Sequence, residues 1–329
     1  MRIGLIGCGS IAMAGHLPAL AQIAGVEVAA LADPDPGRLA EAARLMPRAR
    51  THVGAEALLS AGDLDAAIVA APPKAHAELA IAALRSGIAV YVEKPLALRP
   101  EDAQAVLRAR DAAGLPAAAG FNLRFHPQVE QGRALIAGAG ALRAVDAHIA
   151  VPRKAHSGWR ADPAQGGTAL DDLASHYLDL IPVLCGRGFE PGSLRLIHSG
   201  DATGDDALIA GRMDSGASCL IRASRSQHDW QNRVTLTFDD CRIELDFLRR
   251  ARAQRRLNAY HEPRRRRWVQ ALGDARALAR VRPMPDPSIG LALRAFVSAV
   301  QAGQPTQPPL EAGLQVCALV DALRRTGAA

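Results

Sequence analysis

Gly7-Cys8-Gly9-Ser10-Ile11-Ala12 reads as GxGxxA, directly after an apolar run and ahead of a helical one. The glycines permit a tight turn and close backbone approach, so a pyrophosphate can sit at the positive N-terminus of the following helix. Asp33 closes the next apolar run, Ala30-Leu31-Ala32, and is placed to bond a ribose 2′-hydroxyl. Glycine-rich turns are common and the motif alone is weak; here strand, helix and acid occur in the required order. An acid at Asp33 repels a 2′-phosphate, which favours NAD over NADP. Arg38, five residues on, can soften that preference and admit NADP.

Two further groups carry chemistry. Glu93-Lys94-Pro95 follows the apolar run Ala89–Val92, and only three of the thirty-nine basic residues are lysines (Lys74, Lys94, Lys154). A lysine at the carboxyl end of a parallel strand faces the region where open α/β sheets bind ligands. The plainer alternative is a salt-bridged surface lysine. Asp172 and His176 are four apart on one helical pattern, with Asp179 three further on, so they share a face. Such a couple suits proton transfer near neutral pH. Taken alone, these residues fit better as helix-start acids, with His176 a satisfied interior histidine.

The elements that must hold these groups follow from hydrophobic spacing. Arg2–Ile6, Glu27–Ala32, Ala66–Ala70 and Ala89–Val92 read as strands, separated by helical patterns at Ala14–Ile23, Arg38–Leu45, His76–Arg85 and Pro100–Ala112. That alternation predicts a doubly wound parallel sheet, a Rossmann domain over residues 1–120. From Leu142 to Phe247 strands succeed one another directly, with one helix at Ala169–Leu184. A mostly antiparallel sheet in an α+β domain over 121–305 is expected, serving substrate and oligomerisation. The segment 306–329 reads as a helix packing back on the first domain. Arg282–Pro287 reads as a rigid loop.

The full set, Gly7-x-Gly9-x-x-Ala12, Asp33, Pro72-Pro73-x-x-His76, Glu93-Lys94-Pro95, Arg124-Phe125-His126-Pro127 and Gly166-Gly167…Asp172…His176…Asp179, resembles the glucose–fructose oxidoreductase / inositol dehydrogenase / MocA-like family. Order and spacing agree over essentially the whole chain. The resemblance implies an NAD(P)-dependent oxidoreductase of sugars, polyols and related compounds, with an open C-terminal sheet and assembly into a homodimer or homotetramer. It implies that Lys94, Asp172 and His176 are catalytic. Gly7, Gly9, Ser10, Ile11, Ala12, Asp33, Arg38, Pro72, His76, Glu93 and Lys94 are then expected on the cofactor. Arg124, His126, Trp159 and Arg160 are expected on the substrate side, where a ring can stack on a sugar and arginine can pair with an anion. Simple loop packing is the alternative for those four, and Lys154 and His156 share the loop. Thr168 stands where a third glycine is common, and Ala174 where glycine is common before the histidine; a slight narrowing of the pocket is expected. The glycines often found near Cys241-Arg242 are missing, which leaves that turn open to question.

Implied by the same resemblance, His176 takes a carbinol proton as hydride leaves, Lys94 stabilises the alkoxide and Asp172 orients a neighbouring hydroxyl. A catalytically silent sensor of NAD(P) and sugar is the alternative. Retention of Lys94, Asp172 and His176 together disfavours it.

Composition bounds the rest. The 329 residues are 49% apolar with a net charge of +6, an ordinary globular balance that excludes disorder. Nine arginines against Glu262 give residues 249–267 a local +8, so the remaining chain is net acidic. A general nucleic-acid binder is therefore disfavoured, although Asn258, Tyr260 and Trp268 lie among or beside those arginines. A solvated basic segment is the simpler reading. Five scattered cysteines without a CxxC or a metal-like cluster predict reduced thiols and no metal. No signal-like N-terminus and no membrane-length apolar run is present, so a cytoplasmic protein without membrane attachment is expected.

Overall fold

Strands buried on both faces need no polar alternation, and the first sheet shows why its strands read as short apolar runs. The computed structural model describes residues 1–153, 158–198, 204–248, 254–257 and 286–327. They fall into two units. The first is Met1–Asn122, Ser157–Gly167 and Pro287–Ala322; the second is Leu123–His156, Thr168–Asp286 and Leu323–Ala329.

In the first unit, β1 (Arg2–Ile6), β2 (Glu27–Ala32), β3 (Arg50–His52), β4 (Ala66–Val69), β5 (Ala89–Glu93) and β6 (Ala117–Gly120) form one sheet in the order β3-β2-β1-β4-β5-β6. Every pairing is parallel. The order reverses between β1 and β4, which opens a crevice at their carboxyl ends. Helices α2 (Pro36–Leu45), α4 (His76–Arg85) and α5 (Pro100–Ala113) lie close to their expected places. Asp35 caps α2 by accepting from the Gly37 and Arg38 amides, and Pro36 supplies the first helical position. Gly114 ends α5 in the left-handed conformation.

The first helix differs from expectation. Residues Ala12–His16 form a π-helical turn before α1 (Leu17–Leu20). Short β3 and helix α3 (Ala55–Leu59) were not legible, nor was β6, whose Ala-Ala-Ala-Gly sequence has little strand propensity. β6 is admitted by close approach: a Cβ on Gly120 would lie 2.8 Å from the Glu93 Cα.

The second unit holds β7 (Leu142–Pro152), β8 (Arg195–His198), β9 (Asp206–Arg212), β10 (Ser218–Gln227), β11 (Gln231–Phe238), β12 (Cys241–Asp246) and β13 (Gln254–Leu257), ordered β13-β12-β11-β7-β10-β9-β8. All neighbours are antiparallel except β7 and β10. Val145, Ala147 and Ile149 of β7 and Val234, Leu236 and Phe238 of β11 are buried, whereas Asp146 and Arg233 on the opposite face are exposed. Helices α6 (Pro127–Ile136) and α7 (Ser175–Cys185) pack together beside this sheet. α7 continues a second π-helical turn, Leu170–Ala174, so the expected helix at Ala169–Leu184 begins with an unusual register. The β11–β12 turn closes through Asp239 and Asp240 without glycine.

The first boundary, between Asn122 and Leu123, lies within two residues of residue 121, whereas the return to the first unit comes at Pro287, ahead of residue 305. Helix Pro287–Ala302 groups with the first unit: the Asn122 side-chain amide donates to the Ser288 hydroxyl at 2.7 Å, and Phe296 packs edge-on against Tyr91. Helix Leu310–Gly327 meets the first unit through Cys317, whose Sγ lies 2.9 Å from the Ala97 carbonyl, and through the Arg110–Glu311 ion pair. Segment Ser157–Gly167, with Trp159 and Arg160, also groups with the first unit.

Candidate functional site

The glycine turn leaves β1 at Gly7, whose φ of +97° suits glycine. A Cβ there would lie 2.6 Å from the Ala70 carbonyl group and the Ala71 nitrogen, so packing against the end of β4 already requires glycine. Gly9 differs, since a Cβ there would meet nothing within 4 Å. Its missing side chain opens space above the turn, at the start of helical residues 10–20, where Ser10 is exposed and Ile11 and Ala12 follow. Asp33 is buried and accepts from the Cys8 amide at 2.7 Å and the Asp35 amide at 2.8 Å, tying the glycine turn to the end of β2. Burial, helped by the Asp33 charge, pushes the Cys8 thiol up to about 12. Arg38 lies 3.6 Å from Asp35, on the exposed first turn of α2. A cradle needing glycine beneath and open above, at a helix N-terminus, fits a dinucleotide pyrophosphate.

Lys94 follows β5 on a turn held at three points. Glu93 Oε1 lies 2.9 Å from His16 Nε2, while Oε2 accepts the Lys94 amide at 3.1 Å. His76 Nδ1 lies 2.7 Å from the Pro95 carbonyl, and Nε2 lies 2.7 Å from the Ala71 carbonyl. Burial favours the neutral His76 ring and lowers its pKa; the two carbonyls and Glu93 oppose this only in part. A neutral ring donates to just one of those carbonyls. Burial alone would raise the Glu93 carboxyl, but the His16 bond and the nearby charges of His16, Lys94 and His76 hold it below the usual carboxylate range. Pro72 precedes the short 3₁₀ turn Pro73–Ala75 that delivers His76.

The second unit carries Asp172, buried on the π-helical turn, and His176, half-buried at the start of α7. The Asp172 amide donates to the Thr168 carbonyl at 2.9 Å. Further along α7, the Arg124 guanidinium makes a two-pronged pair with Asp179, one bond at 2.8 Å. Burial raises the Asp179 carboxyl, and Arg124 offsets this in part. His126 caps α6, accepting the Gln128 amide at 3.2 Å, with its ring edge-on to Phe247 at 4.9 Å. Burial lowers its pKa, with Asp286 opposing. Arg124 and His126, expected on the substrate side, are thus also bonded within this unit, to Asp179 and to the start of α6. In the first unit, Arg160 lies over the Trp159 ring at 4.2 Å. Gly166 and Gly167 permit close packing there, since a Cβ on Gly167 would lie 2.3 Å from the Trp159 carbonyl oxygen.

Residues 1–121 match the oxidoreductase family with an NAD-binding Rossmann fold, and residues 131–244 match the GFO/IDH/MocA C-terminal domain. The chain belongs to the Gfo/Idh/MocA oxidoreductase family. It is similar to inositol 2-dehydrogenase 2 of Saccharopolyspora erythraea, at 39% identity over 42% of this chain and 41% of that protein. It is also similar to D-apiose dehydrogenase of Paraburkholderia graminis, at 38% identity over 67% of this chain and 59% of that protein. The chain thus spans roughly half the length of these two relatives. Among solved structures, the WlbA dehydrogenase of Bordetella pertussis, in complex with NADH and UDP-GlcNAcA, shares the fold with a TM-score of 0.82 at 22% identity, over 100% of this chain and 95% of that one.

Against the Gfo/Idh/MocA pattern, sequence reasoning missed His16 and Arg324. His16 is the one imidazole in the apolar run AMAGHLPAL, a signal that was available. Arg324 pairs with Asp171 far along the chain, and no local pattern announces it. Lys154, His156, residues 249–253 and 258–267 of the basic segment, Trp268 and most of the loop at 282–287 lie outside the described residues. Among the described residues no three His, Cys, Asp or Glu side chains group as metal ligands, and no helix is long and apolar enough to cross a membrane.

Proposed function

We propose that this chain is an NAD(P)-dependent oxidoreductase moving a hydride between nicotinamide and a secondary alcohol or ketone carbon of a sugar, polyol or related compound. The observation that carries the reading is the His76 bridge. One buried imidazole spans the carbonyl of Ala71, the residue whose nitrogen lies against Gly7, and the Pro95 carbonyl next to Lys94. The dinucleotide turn and the lysine therefore share a rigid frame, as a reaction between cofactor and substrate requires. Inositol and apiose, named for the two relatives, are polyhydroxylated compounds.

Gly7, Gly9, Ser10, Ile11, Ala12 and Asp33 would hold the dinucleotide, with Arg38, Pro72, His76 and Glu93 around it. When bound, it supplies the hydride acceptor or donor. The Lys94 ammonium holds the substrate oxygen and stabilises negative charge developing on it. His176 takes the carbinol proton in the oxidising direction and returns it in the other. Asp172 binds a neighbouring hydroxyl and balances the positive charge of lysine and imidazole. The buried Asp33 carboxylate repels a 2′-phosphate, so NAD is preferred over NADP. A homodimer or homotetramer belongs to the same reading.

The test is a panel of polyols, aldoses and nucleotide sugars, followed by nicotinamide absorbance with NAD and with NADP. On the best substrate, Lys94→Ala should lower turnover by about 10² or more, since removing such a donor commonly costs that much. NADH binding by the variant should persist. Full turnover in Lys94→Ala would remove the lysine from the reaction, and an inert wild type across the panel would favour a sensor.

A further inference from the structure

We propose that Arg324 is a positioning residue for the Asp172/His176 pair, acting through a three-residue lock with Thr168 and Asp171. The proposal rests on the reading that Asp172 and His176 serve the reaction.

Two adjacent aspartates stand in the π-helical turn, and Asp171 is the one tied to Thr168 and Arg324. Asp171 is 2% exposed, and both of its carboxylate oxygens are engaged. One accepts the Thr168 hydroxyl and the other accepts the Arg324 guanidinium. The Asp171 amide donates to Thr168 Oγ1 at 3.1 Å, so the one hydroxyl is bonded to both the side chain and the amide of Asp171. The Ser175 hydroxyl then donates to the Asp171 carbonyl at 2.6 Å, joining the turn to α7.

Arg324 is itself held. Two residues on, the Thr326 hydroxyl donates to the Leu323 carbonyl at 2.8 Å and accepts the Leu196 amide of β8 at 3.1 Å. The last turn of helix Leu310–Gly327 is therefore fixed on the sheet before its arginine reaches Asp171. Leu170 and Leu173 bury the turn against the sheet, but apolar packing is tolerant of small rotations. A two-sided carboxylate is not. Charge-assisted bonds of fixed direction set the rotation of Asp171 about the helix axis, and the next residue, Asp172, inherits that setting. Thr168 supplies the hydroxyl that holds the second carboxylate oxygen.

Without Arg324 the buried carboxylate loses its counter-ion and must turn toward water, carrying Asp172 with it. Misplacement of about an ångström suffices for a loss in turnover approaching 10².

The experiment compares Arg324→Ala, Arg324→Lys, Thr168→Ala and His176→Ala in the full chain. Turnover, KM and NADH affinity are measured on the substrate found in the panel, with amide hydrogen exchange across residues 168–176. Arg324→Ala should lower kcat by about tenfold or more with KM and NADH affinity unchanged. Thr168→Ala should lower it less, and Arg324→Lys should recover most of it. Exchange at residues 170–175 should accelerate in Arg324→Ala without substrate, while the first unit stays protected. If Arg324→Ala does not fold, Thr168→Ala and Arg324→Lys decide through the same kcat-against-KM split. Unchanged kcat in Arg324→Ala beside lost activity in His176→Ala overturns the lock alone. Full activity in His176→Ala overturns the catalytic reading and the lock with it. Unchanged exchange at 170–175 also overturns the lock.

Discussion

Two π-helical turns, Ala12–His16 and Leu170–Ala174, open the helices that follow the two glycine motifs, and they are held in opposite ways. In the first, a wholly buried imidazole points into the core, where His16 meets Glu93 and lies edge-on to Tyr91 at 6.0 Å. In the second, a buried carboxylate points toward the rim, where Asp171 meets an arginine whose side chain is 37% exposed. π-helical turns are rare and cluster at functional sites. The pair teaches that one irregularity can be stabilised from inside, by packing, or from the edge, by charge. The inner one is bonded through Glu93 to the lysine turn; the outer one ends on a side chain that solvent reaches.

The largest break in this comparison comes from the inner turn. His16→Ala removes the Glu93 partner and leaves a buried carboxylate, a change that typically costs about 3–5 kcal/mol. Equilibrium urea unfolding should show that loss. Arg324→Ala should lose distinctly less in the same assay, because water reaches the site its side chain vacates. Equal losses would mean that both turns depend on core packing.

That contrast also separates what was legible in the sequence from what was not. β1, β2, β4 and β5 were legible because each is an apolar run bounded by turn residues. β6 and β3 were not: one is an alanine run, and the other is the polar edge Arg50-Thr51-His52. Lys94 stood out as one of three lysines, whereas His16, 78 residues earlier, was signalled only as the one imidazole in an apolar run, and the π-helical turn that aims it leaves no periodic signature. Arg124 and His126 are expected on the substrate side because their types suit anions and sugars; their bonds to Asp179 and to the start of α6 were not legible. Their partners were fixed by tertiary packing, which spacing does not encode.

A smaller effect separates the units by pH. The Glu93 carboxyl is held below its ordinary value, so its contribution is present above the unfolded carboxyl pKa and is lost as pH falls through the folded one. Asp179 is shifted up by burial, so its contribution is present below the unfolded pKa and is lost as pH rises through the folded one. Acid should therefore weaken the first unit through Glu93 while favouring the second through Asp179. Urea unfolding of wild type, Glu93→Gln and Asp179→Asn across about pH 3–7, the carboxyl range, measures both slopes. Glu93→Gln should flatten the acid limb, and Asp179→Asn should steepen the rise of stability with pH. The same slope change from both variants would contradict the assigned directions.

The smallest effect sharpens the comparison most directly. Salt screens charges that solvent reaches and leaves buried pairs nearly untouched. Raising ionic strength from about 0.1 M to 1 M shortens the screening length from about 10 Å to 3 Å. The Arg324–Asp171 pair, with its half-open guanidinium, should weaken by no more than about 1 kcal/mol, while His16–Glu93 keeps its strength. Hydrogen exchange should then accelerate at residues 170–175 and stay constant at residues 12–16. A neutral solute at matched osmolality should leave both unchanged, because it adds no mobile charge. Acceleration at both turns would place His16–Glu93 within reach of solvent ions, and silence at both would make the outer turn as closed as the inner one.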